Sequence, residues 1–287
     1  MTQFLTITLN GISLASLYFI TATGFSLIFG VMKTVNFTHG GLYLLGAYIG
    51  HDVAVTTGNW YLGILVGGLG AAVMGGLFNI IFLRRMQGQL LRQGLIAFGL
   101  AIILADQMIA RWGGQIYQLQ GPDWIVRTIR LPVVGEFGFD RISMILAAAV
   151  IGVLLWLLLK RTRLGMIIRA GTDDKDMLSA LGINTDKYMV AIFALGAFLA
   201  GVAGVLGATT YTAAPGIDMR FMLYSLVVVI VGGMGSIPGT AIGALIVGLA
   251  QSYGLYLIPE YGILVVFVIM ALALAVRPSG ILGKAVL

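Results

Sequence analysis

The chain has 287 residues, 59% of them hydrophobic and 10% charged, against roughly 45–50% apolar and about 25% charged in soluble domains. Its mean hydropathy of +1.01 is spread along the whole length, which excludes a soluble catalytic body carrying a hydrophobic tail. There is no cysteine, so disulfides, thiolate metal centres and cysteine nucleophiles are excluded together, and His39 and His51 are too few and too far apart to suggest a metal site.

Apolar runs bounded by charges or turn residues lie at 4–32, 40–55, 60–83, 94–110, 142–159, 189–208, 221–235, 238–258 and 261–276. At about 20 residues per crossing this reads as an all-α polytopic membrane protein of about nine transmembrane helices (8–10), a single domain over 1–287. The first run lacks the charged start and small-residue cleavage site of a secretory signal and is too long for one, so it is expected to be a retained helix. The run 221–235 is short for a crossing. A re-entrant hairpin is the alternative there, but it would move Arg277 and Lys284 to the other face, against the charge rule, and a full crossing is expected.

Basic residues flanking spans tend to stay in the cytoplasm. With the amino terminus outside, twelve of the seventeen basic residues fall inside, while Arg111, Arg127, Arg130, Arg141 and Arg220 stay outside with seven of the eleven acids. The net charge of +6 is therefore a topology signal and not a nucleic-acid footprint. The carboxyl terminus is expected in the cytoplasm.

Glycine is frequent, at 41 residues. In water each helical glycine costs about 1 kcal/mol relative to alanine, but in lipid small residues four apart let backbones approach. Gly63, Gly67, Ala71 and Gly75 form one such stripe, Gly68, Ala72 and Gly76 a second, and Gly196, Ala200, Gly204 and Ala208 a third.

Two polar stretches are long enough to have a role of their own. The segment 111–141 carries Trp112, Tyr117, Trp124 and Pro132 and reads as an extracytoplasmic loop with interfacial aromatics. Within 160–188, Thr172 can cap a short helix with Asp173, Asp174 and Asp176 in its first turn, where the helix dipole favours acids. Gly182 can end that helix in the left-handed conformation. Met177, Leu178 and Leu181 then make one apolar stripe. So short a helix is marginal alone, and its stripe must dock on the protein's own helix ends, on a cytosolic partner, or at the membrane surface.

Familiar catalytic signatures are missing. The chain has no G-x-x-x-x-G-K-[ST], H-E-x-x-H or G-x-S-x-G, so it has no P-loop of its own and no sign of enzymatic activity. Charged residues inside spans are functional candidates, and Asp106 is the best of them: either a coupling or cargo-gating group, or half of an interfacial ion pair with Arg111. Few other polar groups lie at depth, namely Asn10, Asn79, Gln107 and Gln251, which argues against an ion-coupled carrier.

The block GFSLIFGVMKTVNFTHGGLYLLGAY (24–48), the inner segment RTRLGMIIRAGTDDKDMLSALGIN and the later run LVVVIVGGMGSIPGTAIGALIVGLAQS together resemble the LivH-type permeases of ABC importers for branched-chain amino acids. The resemblance implies an inner-membrane permease architecture whose coupling helix, Thr172 to Gly182, docks on a separate ATPase. It implies as partners two cytoplasmic ATPases that bind ATP and Mg, a second, LivM-like permease and an extracytoplasmic solute-binding protein, with no cofactor on this chain. The cargo implied is a branched-chain or other hydrophobic amino acid; urea, short amides and aromatic carboxylates are the alternatives, with a stand-alone carrier or channel behind them. Two positions depart from the family pattern: Met177 and Leu178 follow Asp176 where alanines are common, and Gly41 stands where an acid commonly follows His-Gly. Asn36, Thr38 and His39 either line the cytoplasmic mouth or gate of the pathway or satisfy freed backbone groups between two helices. Gly233 and Gly235 either permit a tight inner turn or offer exposed backbone to the path.

Overall fold

The computed structural model describes residues 2–131, 134–173 and 175–283, with the backbone alone described at 131, 172, 173, 175, 176 and 179. Nine long helices dominate the described residues: α1 (Thr2–Met32), α2 (Thr38–Thr57), α3 (Trp60–Phe78), α4 (Leu90–Trp112), α6 (Phe139–Arg161), α9 (Thr185–Thr210), α10 (Ile217–Gly232), α11 (Ile237–Leu257) and α12 (Gly262–Val276). Each coincides with one of the nine apolar runs. Shorter elements are α5 (Asp123–Val126), the antiparallel hairpin β1 (Thr128–Leu131) and β2 (Gly135–Gly138), α7 (Arg163–Asp173) and α8 (Lys175–Ala180). Helices prevail because lipid offers no partner for an unpaired backbone amide or carbonyl.

Local sequence explains the helix ends. Asn59 caps α3 by accepting from Leu62 N (3.1 Å), Asn184 caps α9 by accepting from Lys187 N (3.1 Å), and Ser236 caps α11 by accepting from Gly239 N (3.1 Å). Gly58 closes α2 in the left-handed region at φ 67°. α3 runs on through a π-helical turn, Asn79–Leu83, into Arg84–Met86.

α1, α2, α9 and α10 form the centre of the bundle. α3 packs on α2 and α9, α4 on α2, α6 on α1, and α11 on α1 and α10, with α12 outside α11. The glycine stripes lie where backbones meet. A side-chain carbon at Gly24 of α1 would fall 2.4 Å from the carbonyl oxygen of Gly196 on α9, and one at Gly67 of α3 would fall 2.5 Å from that of Gly46 on α2. The outer faces of α6 and α12 carry Leu146, Val150, Val153, Leu154, Leu264, Val268 and Leu272 exposed, as a lipid-facing surface requires.

Successive long helices alternate in direction, so residues 2 and 276 lie on opposite faces of the bundle. One face, here the loop face, bears residues 113–138. The other, the basic face, bears α7 and α8 together with Lys33, Arg84, Arg85, Arg92, Lys160 and Arg161. Seven segments are long and apolar enough to cross a membrane on length and composition. The remaining two, α2 and α10, are interrupted. After α1, Lys33 turns the chain at φ 55°, and α2 starts beside Thr21 of α1. Thr21 precedes Met32 by eleven residues, placing the start of α2 about 16 Å above the basic end of α1.

α10 is the run whose crossing was in question. It has 16 residues, about 24 Å of helix, less than a hydrocarbon core of about 30 Å. The chain still crosses: 211–216 descend unwound from the loop face, where Ala213 pairs with Tyr117 (N···O 2.7 and 2.8 Å), and α10 continues to the basic face.

Candidate functional site

Two consecutive glycines of α2 define a layer at mid-membrane depth. A side-chain carbon at Gly40 would fall 2.0 Å from the carbonyl oxygen of Asp218 in the first turn of α10, and one at Gly41 would fall 2.9 Å from Leu104 Cδ2 on α4. α4 and α10 thus flank α2 at one level. Gly41 serves a helix contact here, with no room for a larger side chain unless Leu104 moves.

Asn36, Thr38 and His39 lie just below this layer and are buried. Asn36 Oδ1 accepts from Thr38 N (3.2 Å) and from Thr38 Oγ1 (2.7 Å), capping the start of α2. His39 Nε2 donates to the Thr21 carbonyl (2.9 Å), and its ring stands edge-on to Phe25. Of the three, His39 ties the start of α2 to α1, while Asn36 and Thr38 bond each other.

The bundle centre is filled. Tyr18 Oη donates to Gln251 Oε1 (2.5 Å), and Gln251 Nε2 donates to Tyr224 Oη (3.2 Å), linking α1, α11 and α10. Tyr43 of α2 stacks on Phe221 of α10 at 4.1 Å. Of these aromatics the sequence marked none; Gln251, a lone amide in an apolar run, was the available signal.

Asp106 lies on α4, exposed, with Gln107 beside it. The ion pair with Arg111 expected on the structural reading does not form. The Arg111 guanidinium lies over the Trp112 ring at 5.6 Å, because Asp106 and Arg111 are five residues apart and do not share a helix face. Arg220, expected outside the membrane, lies in the second turn of α10 and is also exposed. Neither Asp106 nor Arg220 has an ion pair or hydrogen bond to another described residue. Asp106 lies six residues, about 9 Å, from the loop-face end of α4, and Arg220 stands within electrostatic reach of Tyr224, one turn further along α10.

Gly233 and Gly235 hold positive φ, 109° and 79°, and make the turn from α10 to α11. The segment after α12 packs over Gly233, with Ile281 N donating to Val231 O (3.0 Å) and Leu282 N to Gly232 O (2.9 Å). Two separated parts of the chain meet there, which local sequence does not reveal.

On the basic face, the single short helix expected from Thr172 to Gly182 is two helices. Thr172 sits in the last turn of α7, Asp173 ends α7, and Asp176 falls in α8; Asp174 lies outside the described residues. Gly182 does take the left-handed conformation, φ 76°, after α8. The apolar stripe divides. Leu178 is buried, against Gly171 of α7, while Met177 and Leu181, one turn apart, are 63% and 71% exposed. α7 itself is anchored by Ile168, which packs with Val31, Leu155, Met189 and Ile192 under α1, α6 and α9.

The loop face is strapped down. Trp112 Nε1 donates to Asp52 Oδ2 (2.8 Å), Trp60 Nε1 to Thr209 Oγ1 (3.0 Å) and Tyr117 Oη to the Trp112 carbonyl (2.7 Å). Tyr48 stacks on Trp112 at 5.1 Å. Clefts of about 670 and 470 Å³ open on either side of the segment 118–121.

Nine long helices among the described residues, seven of them long and apolar enough to cross a membrane, with a filled centre and a platform of short helices on one face, define an all-α multi-pass membrane protein. The family model for the branched-chain amino acid transport system permease component matches residues 7–274, and the chain belongs to that family. It is 30% identical to the high-affinity branched-chain amino acid transport system permease protein LivH of Escherichia coli (strain K12), over 96% of this chain and 94% of that protein. It is 29% identical to BraD of Pseudomonas aeruginosa over the same shares, and 25% identical to a probable LivH of Methanocaldococcus jannaschii over 94% and 89%.

Proposed function

We propose that this chain is the permease subunit of an ATP-driven importer that carries branched-chain or other hydrophobic amino acids across the bacterial cytoplasmic membrane. The basic face is cytoplasmic on the positive-inside rule, which puts the amino terminus outside and the carboxyl terminus inside. The observation that carries the reading is the platform of α7 and α8, anchored through Ile168 and Leu178 and presenting Met177 and Leu181 outward. An exposed apolar pair at i, i+4 on a braced short helix is the form of a knob that enters a partner's groove. Two cytoplasmic ATPases bind ATP and Mg, and their closure pushes on this platform. A second, LivM-like permease completes the pathway, because the centre of this subunit is filled by Tyr18, Tyr43, Phe221, Tyr224 and Gln251 and the route must run along a shared surface. An extracytoplasmic binding protein delivers cargo to the loop face. Alternating access follows from rocking one permease against the other.

Leu181→Arg tests the docking. With the ATPases, second permease and binding protein coexpressed, it is expected to abolish co-purification of the ATPase and to cut leucine uptake at least tenfold, with membrane insertion and helix content unchanged. Undiminished ATPase capture would sink the docking role. Leu178→Arg is uninformative, since it buries a charge against Gly171. Leucine flux through the purified chain alone, without ATP, would favour a stand-alone carrier. Calorimetric titration of the binding protein separates amino acids from urea, amides and aromatic carboxylates.

A further inference from the structure

We infer that the cleft on the basic face between α1, α6, α7 and the start of α11 binds the phosphate and glycerol of an anionic phospholipid from the adjoining leaflet. The inference concerns the fold and its membrane and holds whatever the cargo is.

The cleft, of about 290 Å³, is walled by Ser26 and Leu27 of α1, Leu159 of α6, Ile168 and Arg169 of α7 and residues 235–238. Its polar groups all favour an anion. Arg169 Nη1 donates to the Leu159 carbonyl at the end of α6, which holds the guanidinium beside the cleft. Its other donors have no partner among the described residues, and their fork matches phosphate oxygens. A second wall is the first turn of α11, a helix of 21 residues, which brings the positive end of its dipole to the cleft. The Ile237 amide, at the first position of that helix, has no intrahelical partner. Ser26, 1% exposed, lines the cleft with a hydroxyl that has no hydrogen-bond partner among the described residues. Thr21 and Thr23 of the same helix, in contrast, return theirs to the carbonyl four residues back. A buried hydroxyl left alone is costly, and an oxygen of a bound molecule supplies what Ser26 lacks.

Depth and lining select a lipid over a free anion. α1 has 31 residues, about 46 Å of helix, close to the full bilayer thickness of about 40–45 Å with its headgroups. Ser26 lies six residues from the basic end of α1, about 9 Å in, at the boundary of headgroups and hydrocarbon. The remaining walls, Leu27, Leu159, Ile168 and Ile237, are apolar, which suits glycerol and the first acyl carbons. Pro238, Ile242 and Leu245 continue up α11 at i, i+4 and i+7, all exposed, a track on one helix face for an acyl chain. On α6, Lys160 lies over the exposed Trp156 ring at 4.9 Å, an interfacial pairing one turn from Leu159. Residues 160–169 hold four basic residues and no acid. Basic pockets between helices on the cytoplasmic side hold anionic headgroups, whereas the ammonium of a zwitterionic lipid gains nothing from these cations.

The full chain, purified in detergent, is titrated with dioleoylphosphatidylglycerol and separately with dioleoylphosphatidylcholine, whose acyl chains are the same. Native mass spectrometry counts the lipid retained, and the thermal unfolding midpoint reports occupancy. One phosphatidylglycerol is expected to bind at least tenfold more tightly than phosphatidylcholine and to raise the midpoint. Arg169→Gln should weaken it at least tenfold, and Arg169→Lys, which keeps the charge without the fork, should fall between. Ser26→Ala should weaken it about threefold, the loss of one hydrogen bond, without lowering the lipid-free midpoint; it decides the matter if Arg169→Gln lowers that midpoint. Arg92→Gln, on the same face at the start of α4, should change nothing. Equal retention of the two lipids, or phosphatidylglycerol retention unchanged in both Arg169→Gln and Ser26→Ala, would overturn the proposal. An equal rise of the midpoint with inorganic phosphate or leucine alone, lost in Arg169→Gln, would overturn it too and assign the cleft to a soluble anion.

Discussion

Two pairs of helices fill the centre of the bundle. α1 and α9 run unbroken from face to face, whereas α2 begins well above the basic face and α10 well below the loop face. The unbroken pair satisfies its own backbone and needs only closeness, which Gly24 and Gly196 supply by meeting carbonyl to Cα. The interrupted pair frees amides and carbonyls at depth, where each must find a partner. That is why Asn36, Thr38 and His39 sit at the start of α2 and why Ala213 pairs with Tyr117 above α10. The contrast separates an unbroken frame from two helices whose starts at depth depend on hydrogen bonds supplied by neighbouring segments.

The largest expected effect comes from breaking the frame. Gly24→Leu places side-chain carbons within van der Waals distance of Gly196 and His39. It should cost about 3 kcal/mol, the upper end of overpacking penalties, and abolish a monodisperse peak on fluorescence-detected gel filtration in detergent. A normal peak would mean that α1 and α9 do not touch. Cutting the link between frame and interrupted helix comes next. Gln251→Leu leaves Tyr18 and Tyr224 without their amide and should destabilise by about 1–3 kcal/mol, read as a lowered thermal unfolding midpoint; an unshifted midpoint would show that the network contributes nothing. Asn36→Ala removes the acceptor for Thr38 N and Oγ1. It should loosen only the start of α2, by about 1 kcal/mol, so that amide exchange at Thr38 and His39 quickens about fivefold while α1 is unaffected. The smallest effect is expected at Gly99 of α4, which faces open space. Gly99→Ala should be neutral or stabilising by up to about 1 kcal/mol through helix propensity, unless the second permease packs there, in which case co-purification of the two permeases would fall.

Much of this organisation was legible beforehand. Nine apolar runs became nine long helices, because hydropathy and length are properties of a segment alone. The stripes at Gly67 and Gly196 lie where backbones approach, since small residues four apart have few other uses in lipid. Partners across the sequence were less legible. Leu178 and Leu181 look alike on a helical wheel, but only Leu178 meets Gly171, and the difference depends on how α8 folds back on α7. Arg220 reads as a loop charge because it precedes an apolar run, and its depth depends on the unwound chain at 211–216. Asp106 and Arg111 are close in sequence but sit on different faces of α4.

By itself the sequence determined the compartment, the count of long helices, the sidedness of the basic residues and the family, because each is carried by composition, by runs of a given length or by contiguous motifs. Only the tertiary structure decided that α2 and α10 start at mid-depth, that Gly233 is covered by the chain after α12, and that Leu178 is buried while Leu181 is exposed. These are matters of which distant segments come together, and in a bundle packed backbone to backbone the approach is set by steric fit at particular glycines such as Gly40 and Gly41, which hydropathy does not register.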